Sequence, residues 1–203
     1  ISRLLGNIII LYTGSVNYAA NEIANSVENI SLTPGLGLGM AATSLVALHY
    51  GRNSKKQIKE SAQACAFWAV LIMSFCALIF LLIPEHLVGY FSANEKDEMI
   101  GLAAKCLMIG ALEQPFIAIS TIYASSIKGL GDTKSPMVVS LVTAWLIRLP
   151  MMYYFISIRG YGVTAVWWIT ALQWAVDAAL LYLIFQFKLK KIKTITYKKA
   201  ANY

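Results

Sequence analysis

The chain has 203 residues, 58% of them hydrophobic and only 13% charged, against roughly 25% charged in an average soluble domain. Its 17 basic and 10 acidic residues gather in short clusters between long apolar runs, which excludes a disordered or collagen-like chain and an ordinary soluble enzyme. The net charge of +7 does not mark a nucleic-acid binder: the Lys and Arg lie between or beyond apolar runs, not on a basic face interleaved with aromatics.

The first apolar segment, Leu4 to Tyr12, is too short to cross a bilayer. It reads as the outer half of a helix whose beginning is missing. The chain opens at Ile1 with no initiator Met and no signal-peptide pattern, so it is expected to start inside a longer protein. Asn29 to Tyr50 is apolar but carries Pro34, Gly35, Gly37 and Gly39; it reads as the inner part of a span that begins near Ala19. Ala62 to Ile83 is charge-free for about 22 residues, about 33 Å of helix, and is expected to stop at Pro84. Leu102 to Ile127 is interrupted by Lys105, Glu113 and Pro115. Pro136 to Ile158 carries Arg148 and Pro150, and Val163 to Phe187 carries Asp177. The fold class is an all-α, polytopic transmembrane helix bundle over residues 1–203, with spans near 1–14, 19–50, 62–83, 102–127, 136–158 and 163–187 and a basic tail over 188–203.

The loops orient these spans. Arg52, Lys55, Lys56 and Lys59, then Lys128 and Lys134, then six lysines of the tail fall on one side, while the opposite loops hold Lys96 and Arg159 only. The basic side is expected in the cytoplasm of a multi-pass plasma-membrane protein, with the tail as a lipid-facing anchor. Tyr153, Tyr154, Tyr161, Trp167 and Trp168 are placed at the outer interface as anchors. Cys65, Cys76 and Cys106 lie in apolar runs without a C-x-x-C and read as small buried side chains. His49 and His86 are isolated, near opposite interfaces. No paired metal ligands, Ser-His-Asp order or dinucleotide motif is present, so neither enzyme machinery nor a metal or organic cofactor is expected.

Charges at mid-bilayer are costly and face protein or water. Glu113, Arg148 and Asp177 lie at similar depth. Arg148 and Asp177, on consecutive antiparallel helices, are expected to pair. Glu113 has no evident partner and precedes Gln114 and Pro115; the proline frees the carbonyl of Ala111, which a membrane tolerates only beside protein or a water-filled cavity. That combination reads as a proton- or cation-coupled site. Glu28, amid Asn21, Asn25, Ser26 and Asn29, is expected to face a polar cleft. Pro34 frees the carbonyl of Ile30, and the G-x-x-x-G spacing of Gly35 and Gly39 permits close helix packing. These, with Pro115 and Pro150, are the candidate bends. The run Lys128 to Ser135 lacks the phosphate-loop pattern, because Thr133 precedes Lys134; it reads as a glycine turn followed by a helix with Ser135 as N-cap and Pro136 at its first position.

The stretches AANEIANSVENISLTPGLGLGMAATSLVALHYG (Ala19 to Gly51) and QPFIAISTIYASSIKGLGDTKSP (Gln114 to Pro136) resemble the second six-helix half of the multidrug and toxic compound extrusion transporters. The resemblance implies a parent of twelve helices in two lobes, with this chain as helices seven to twelve and seven truncated. It further implies a cleft shared with the missing N-terminal lobe, and export of small, amphipathic, often cationic compounds in exchange for Na⁺ or H⁺. Some members carry an acid one turn beyond Glu113, where this chain has Ile117. Two other readings stand beside it: a lipid-linked oligosaccharide flippase, which calls for a cationic cavity, and a non-transporting membrane scaffold fragment.

Overall fold

The computed structural model describes Gly6, Ile10, Leu11 and residues 14–91 and 97–192; most of the first expected span, 1–14, and most of the basic tail lie outside the described residues. The helices are α1 (Ser15–Gly51), α2 (Lys55–Leu82), α3 (Pro84–Phe91), α4 (Asp97–Gly129), α5 (Lys134–Thr143), α6 (Leu149–Met152) and α7 (Val163–Lys191). Two π-helical stretches, Ala144–Arg148 and Tyr153–Ile158, join α5 to α6 and extend α6, so that Lys134–Ile158 forms one continuous span. Among the described residues five helical segments are long and apolar enough to cross a membrane.

Apolar side chains cover both the core and the outside. Leu36, Met40, Phe67, Phe75, Leu82, Leu146 and Phe187 are all exposed, as suits a bundle whose solvent is lipid. In lipid the hydrophobic drive between helices is absent, so small residues set the packing. Gly35 of α1 lies against Met73 of α2, and Gly39 against Ser125 and Thr121 of α4. Gly129 meets the carbonyl of Thr43, whose hydroxyl donates to the carbonyl of Ser125 at 3.0 Å. These contacts draw α1 and α4 together toward the basic end.

The central helix is α4, packed against α1, α2 and α7, and its apolar stretch is the most buried of the five spans. Toward the basic end a core of Val46, Ile58, Met73, Ile122, Ile127 and Phe185 knits α1, α2, α4 and α7. At the other end α1, the end of α2, α3 and the start of α4 share Val27, Phe80, Val88 and Leu107, while Cys106, Met152, Ile156 and Trp167 tie α4 to the last two spans. The three cysteines are free thiols.

Several expectations are corrected here. Pro34 and Pro115 sit inside uninterrupted helices; irregular winding occurs instead on both sides of Pro150. Pro84 does stop α2, but it also begins the short helix α3, because its fixed φ suits a first helical turn. Ser135 is not the cap of α5. The carboxylate of Asp132 takes that role, accepting from the backbone N–H of Lys134 and of Ser135 at 3.0 Å each and from the hydroxyl of Ser135. Asp132 also pairs with Lys188 near the end of α7 at 2.5 Å. Hydrogen bonds from Lys188 and Ser135 hold its carboxyl well below the usual range.

Candidate functional site: a charged cavity between spanning helices

A cavity of about 200 Å³ opens between α1, α4, the π-helical turn before α6, and α7. From α1 it receives Asn21, Asn25, Glu28, Asn29 and Leu32, a spacing that puts all five on one helical stripe. The neighbouring Ser26 turns away, exposed and bonded back to the carbonyl of Glu22 at 2.8 Å. From α4 come Glu113 and Ile117; from α7, Val166, Trp167, Thr170 and Trp174; from the π-helical turn, Arg148.

Glu113 is 1% exposed and Gln114 is fully buried. Glu113 does not stand alone, contrary to the sequence reading. It is in side-chain hydrogen-bond contact with Glu28 and within electrostatic reach of Arg148, while its Oε2 is buried without a hydrogen-bond partner. Two ionised carboxylates are both acceptors, so contact between them requires a shared proton. Glu28 is further held by Gln114, whose amide Nε2 donates to Glu28 Oε1 at 3.2 Å. The hydroxyl of Ser31 is placed 3.0 Å from Gln114 Oε1 and 2.7 Å from the carbonyl of Glu28. Gln114 thus fixes the acid of α1 against the acid of α4.

The expected Arg148–Asp177 pair is not what brings these residues together. Arg148 lies on the cavity wall with the two glutamates. Asp177 is 3% exposed and turns instead toward Thr143 of α5 and Gln173, one turn earlier on α7. The reason is angular: Trp167, Thr170 and Trp174 occupy the cavity face of α7, and Gln173 and Asp177 occupy another. Sequence reasoning had singled out neither Thr170 nor Trp174, although their i, i+3, i+7 spacing with Trp167 was available as a signal. Trp167, expected as an interfacial anchor, is 3% exposed. Its ring lies across Gly110, with Cζ3 2.7 Å from where a β-carbon would stand. Tyr153, Tyr154, Tyr161 and Trp168 are exposed.

Among the described residues no cluster of three or more His, Cys, Asp or Glu could hold a metal ion. The chemistry the cavity offers is acid–base exchange at a carboxyl pair, amide and hydroxyl hydrogen bonds, and two indole faces suited to a cation.

Residues 1–154 match the MatE family. The chain is 31% identical over 182 residues to a probable multidrug resistance protein NorM of Pseudomonas putida, covering 88% of this chain and 39% of that protein. It is 26% identical over 159 residues to a probable multidrug resistance protein NorM of Thermotoga maritima, covering 78% of this chain and 34% of that protein. In fold it is similar to an outward-facing multidrug resistance MATE family transporter of the MOP superfamily, with TM-score 0.89 and 15% identity over 95% of this chain and 43% of that one. A second similar structure is a MOP superfamily transporter from Pyrococcus furiosus, with TM-score 0.87 and 16% identity over 94% of this chain and 43% of that chain. The chain therefore spans about two fifths of the length of the relatives it matches. With a family match over well more than half of its residues, the chain belongs to the MatE family.

Proposed function

We propose that this chain is the C-terminal lobe of an ion-coupled antiporter that exports small, amphipathic, cationic organic compounds in exchange for Na⁺ or H⁺. The basic loops and the tail lie in the cytoplasm, and the missing N-terminal lobe supplies the other wall of the cleft. One observation carries the reading: a cavity inside the spanning bundle holds the carboxyl pair Glu28–Glu113, with Arg148 beside it. A family of relatives named for multidrug resistance gives the cavity its context.

The pair exchanges one occupant for another. With a shared proton the two acids sit in contact and the cavity carries less negative charge. When Na⁺ or an organic cation arrives, the proton leaves and the cation takes its place between the oxygens, with Oε2 of Glu113 as the acceptor left open. Asn25 and Gln114 supply neutral hydrogen bonds, and the Arg148 guanidinium offsets part of the negative charge that the pair carries once the proton has left. The ion drives export only through its differential affinity for the two orientations of the cleft. Pro150, flanked by two π-helical stretches, is the position at which the span flexes between those orientations, and the buried Asp177 bonds to Thr143 where the irregular winding begins.

Among the described residues the cavity lining carries Glu22, Glu28 and Glu113 against one base, Arg148. This is the wrong sign for the phosphates of a lipid-linked sugar, which weighs against a flippase. The test is drug efflux from proteoliposomes of the full-length transporter, driven separately by a Na⁺ and by a H⁺ gradient. Glu113→Gln is expected to abolish the response to the coupling gradient while substrate still binds. Undiminished gradient-driven efflux by Glu113→Gln would remove this pair from the mechanism.

A further inference from the structure

At the basic end, away from the charged cavity, the α1–α2 loop, the α4–α5 turn and the end of α7 converge around a second hollow of about 360 Å³. It is lined by Tyr50, Asn53, Leu130, Asp132, Lys188, Lys191 and Ile192. From the charge and position of this hollow we infer that it is a seat for the headgroup of an anionic phospholipid.

The charges come first. Asp132 is the acid of the lining, but its oxygens already accept from Ser135 and from the start of α5, and it is paired with Lys188. That network neutralises both Asp132 and Lys188 and leaves Lys191 as the uncompensated cation of the described lining. The same turns and helix ends that form the hollow also carry Arg52, Lys55, Lys128, Lys134 and Lys190 in sequence. A basic pocket between spanning helices at headgroup level is the form that phospholipid headgroup sites take.

The neutral groups suit a phosphodiester. The Tyr50 phenol is a donor at the exposed end of α1, and Asn53, held at φ 51 with its N–H given to the carbonyl of Tyr50 at 3.0 Å, sets its amide in the wall of the hollow. Asn tolerates this left-handed backbone better than most side chains, which suits the residue to the tight loop that borders the hollow.

The apolar groups say that the occupant has tails. Leu183, Phe187 and Lys191 follow one another at i, i+4 and i+8 on α7, a single stripe, and all three are exposed. The lysine crowns an apolar track that runs from the hollow toward the middle of the span, with Leu130 and Ile192 at its mouth. A free anion has no use for such a track; a lipid fills both parts at once.

The experiment is native mass spectrometry of the full-length transporter released from micelles containing equal phosphatidylglycerol and phosphatidylcholine. Phosphatidylglycerol is expected to be retained about fivefold over phosphatidylcholine, and Lys191→Gln to lower that retention about fivefold, the change expected for one lysine at a charged headgroup. Lys191→Arg is expected to restore it. Lys56→Gln removes an equally basic side chain that faces Glu60 and not the hollow, and it is expected to change nothing. Inorganic phosphate at millimolar concentration is expected not to displace the lipid. Equal retention of both lipids, equal effects of the Lys191 and Lys56 changes, or displacement by phosphate would each overturn the inference.

Discussion

Three glycine-to-alanine changes test the account of helix packing, because the structure gives each added methyl a different neighbour. At Gly129 the methyl would stand 2.6 Å from the backbone carbonyl oxygen of Thr43 and 3.1 Å from two carbons of Val46. A carbon and a carbonyl oxygen normally approach no closer than about 3.3 Å, so α1 and α4 must part by roughly 0.7 Å, and the neighbour that has to move is backbone. Overpacking of that kind costs about 1–3 kcal/mol, offset by about 0.4–1 kcal/mol from the stiffer unfolded chain. A net loss of about 1–2 kcal/mol follows. At Gly35 the methyl meets the sulfur of Met73 at 2.8 Å, and a flexible thioether moves aside at little cost; the change is expected to be near neutral. At Gly37, exposed within α1 and with nothing within 4 Å, the gain in helix propensity should add about 0.5–1 kcal/mol. Thermal unfolding of the full-length transporter in one detergent should rank the variants Gly37→Ala, Gly35→Ala, Gly129→Ala from most to least stable. A Gly129→Ala protein as stable as Gly37→Ala would refute the claim that backbone contact clamps α1 to α4 there.

Asp132→Ala removes the cap of α5 and should cost about 1–2 kcal/mol at pH 7. Because the folded carboxyl is held below its unfolded value, this contribution is complete above about pH 4 and fades as pH falls further, so the melting-temperature gap between parent and variant should narrow in acid. Gly110→Ala drives a methyl into the Trp167 ring and should destabilise the protein by about 1–3 kcal/mol; adding Trp167→Phe should recover part of the loss, read as a double-mutant cycle of melting temperatures. Gln114→Leu removes the amide donor to Glu28 and the side-chain acceptor of Ser31, which keeps the carbonyl of Glu28; the lost hydrogen bonds should cost about 1–2 kcal/mol, measurable by the same assay.

The spans were legible because hydropathy over about 20 residues reports a bilayer-length helix directly. The polar stripe of Asn21, Asn25 and Glu28 was legible because helical spacing places those residues together whatever surrounds them. Partner choice across helices was not. Depth alone made Arg148 and Asp177 look paired, yet rotation about the helix axis decides what a side chain meets, and the π-helical turn at Ala144–Arg148 adds a rotation that no hydropathy pattern records. Glu113 looked solitary because its partner, Glu28, lies 85 positions away in the chain. Trp167 was read as an anchor from its place near the end of a span; what buries it is the missing side chain of Gly110, a contact visible only once α4 and α7 are set side by side. Short polar turns mislead for a related reason: Asp132 and Ser135 both suit a cap, and the reach of Lys188 from the end of α7, 56 positions later in the chain, helps fix the acid in place.

The central claim is that Glu28 and Glu113 hold one proton which an arriving cation displaces. It is tested most directly by measuring proton release from the purified full-length transporter in weakly buffered detergent on addition of Na⁺ or of a cationic substrate. The account predicts a release that falls by about one proton per molecule in Glu113→Gln and is unchanged in Asp177→Asn. Identical release from the parent and from Glu113→Gln would contradict it.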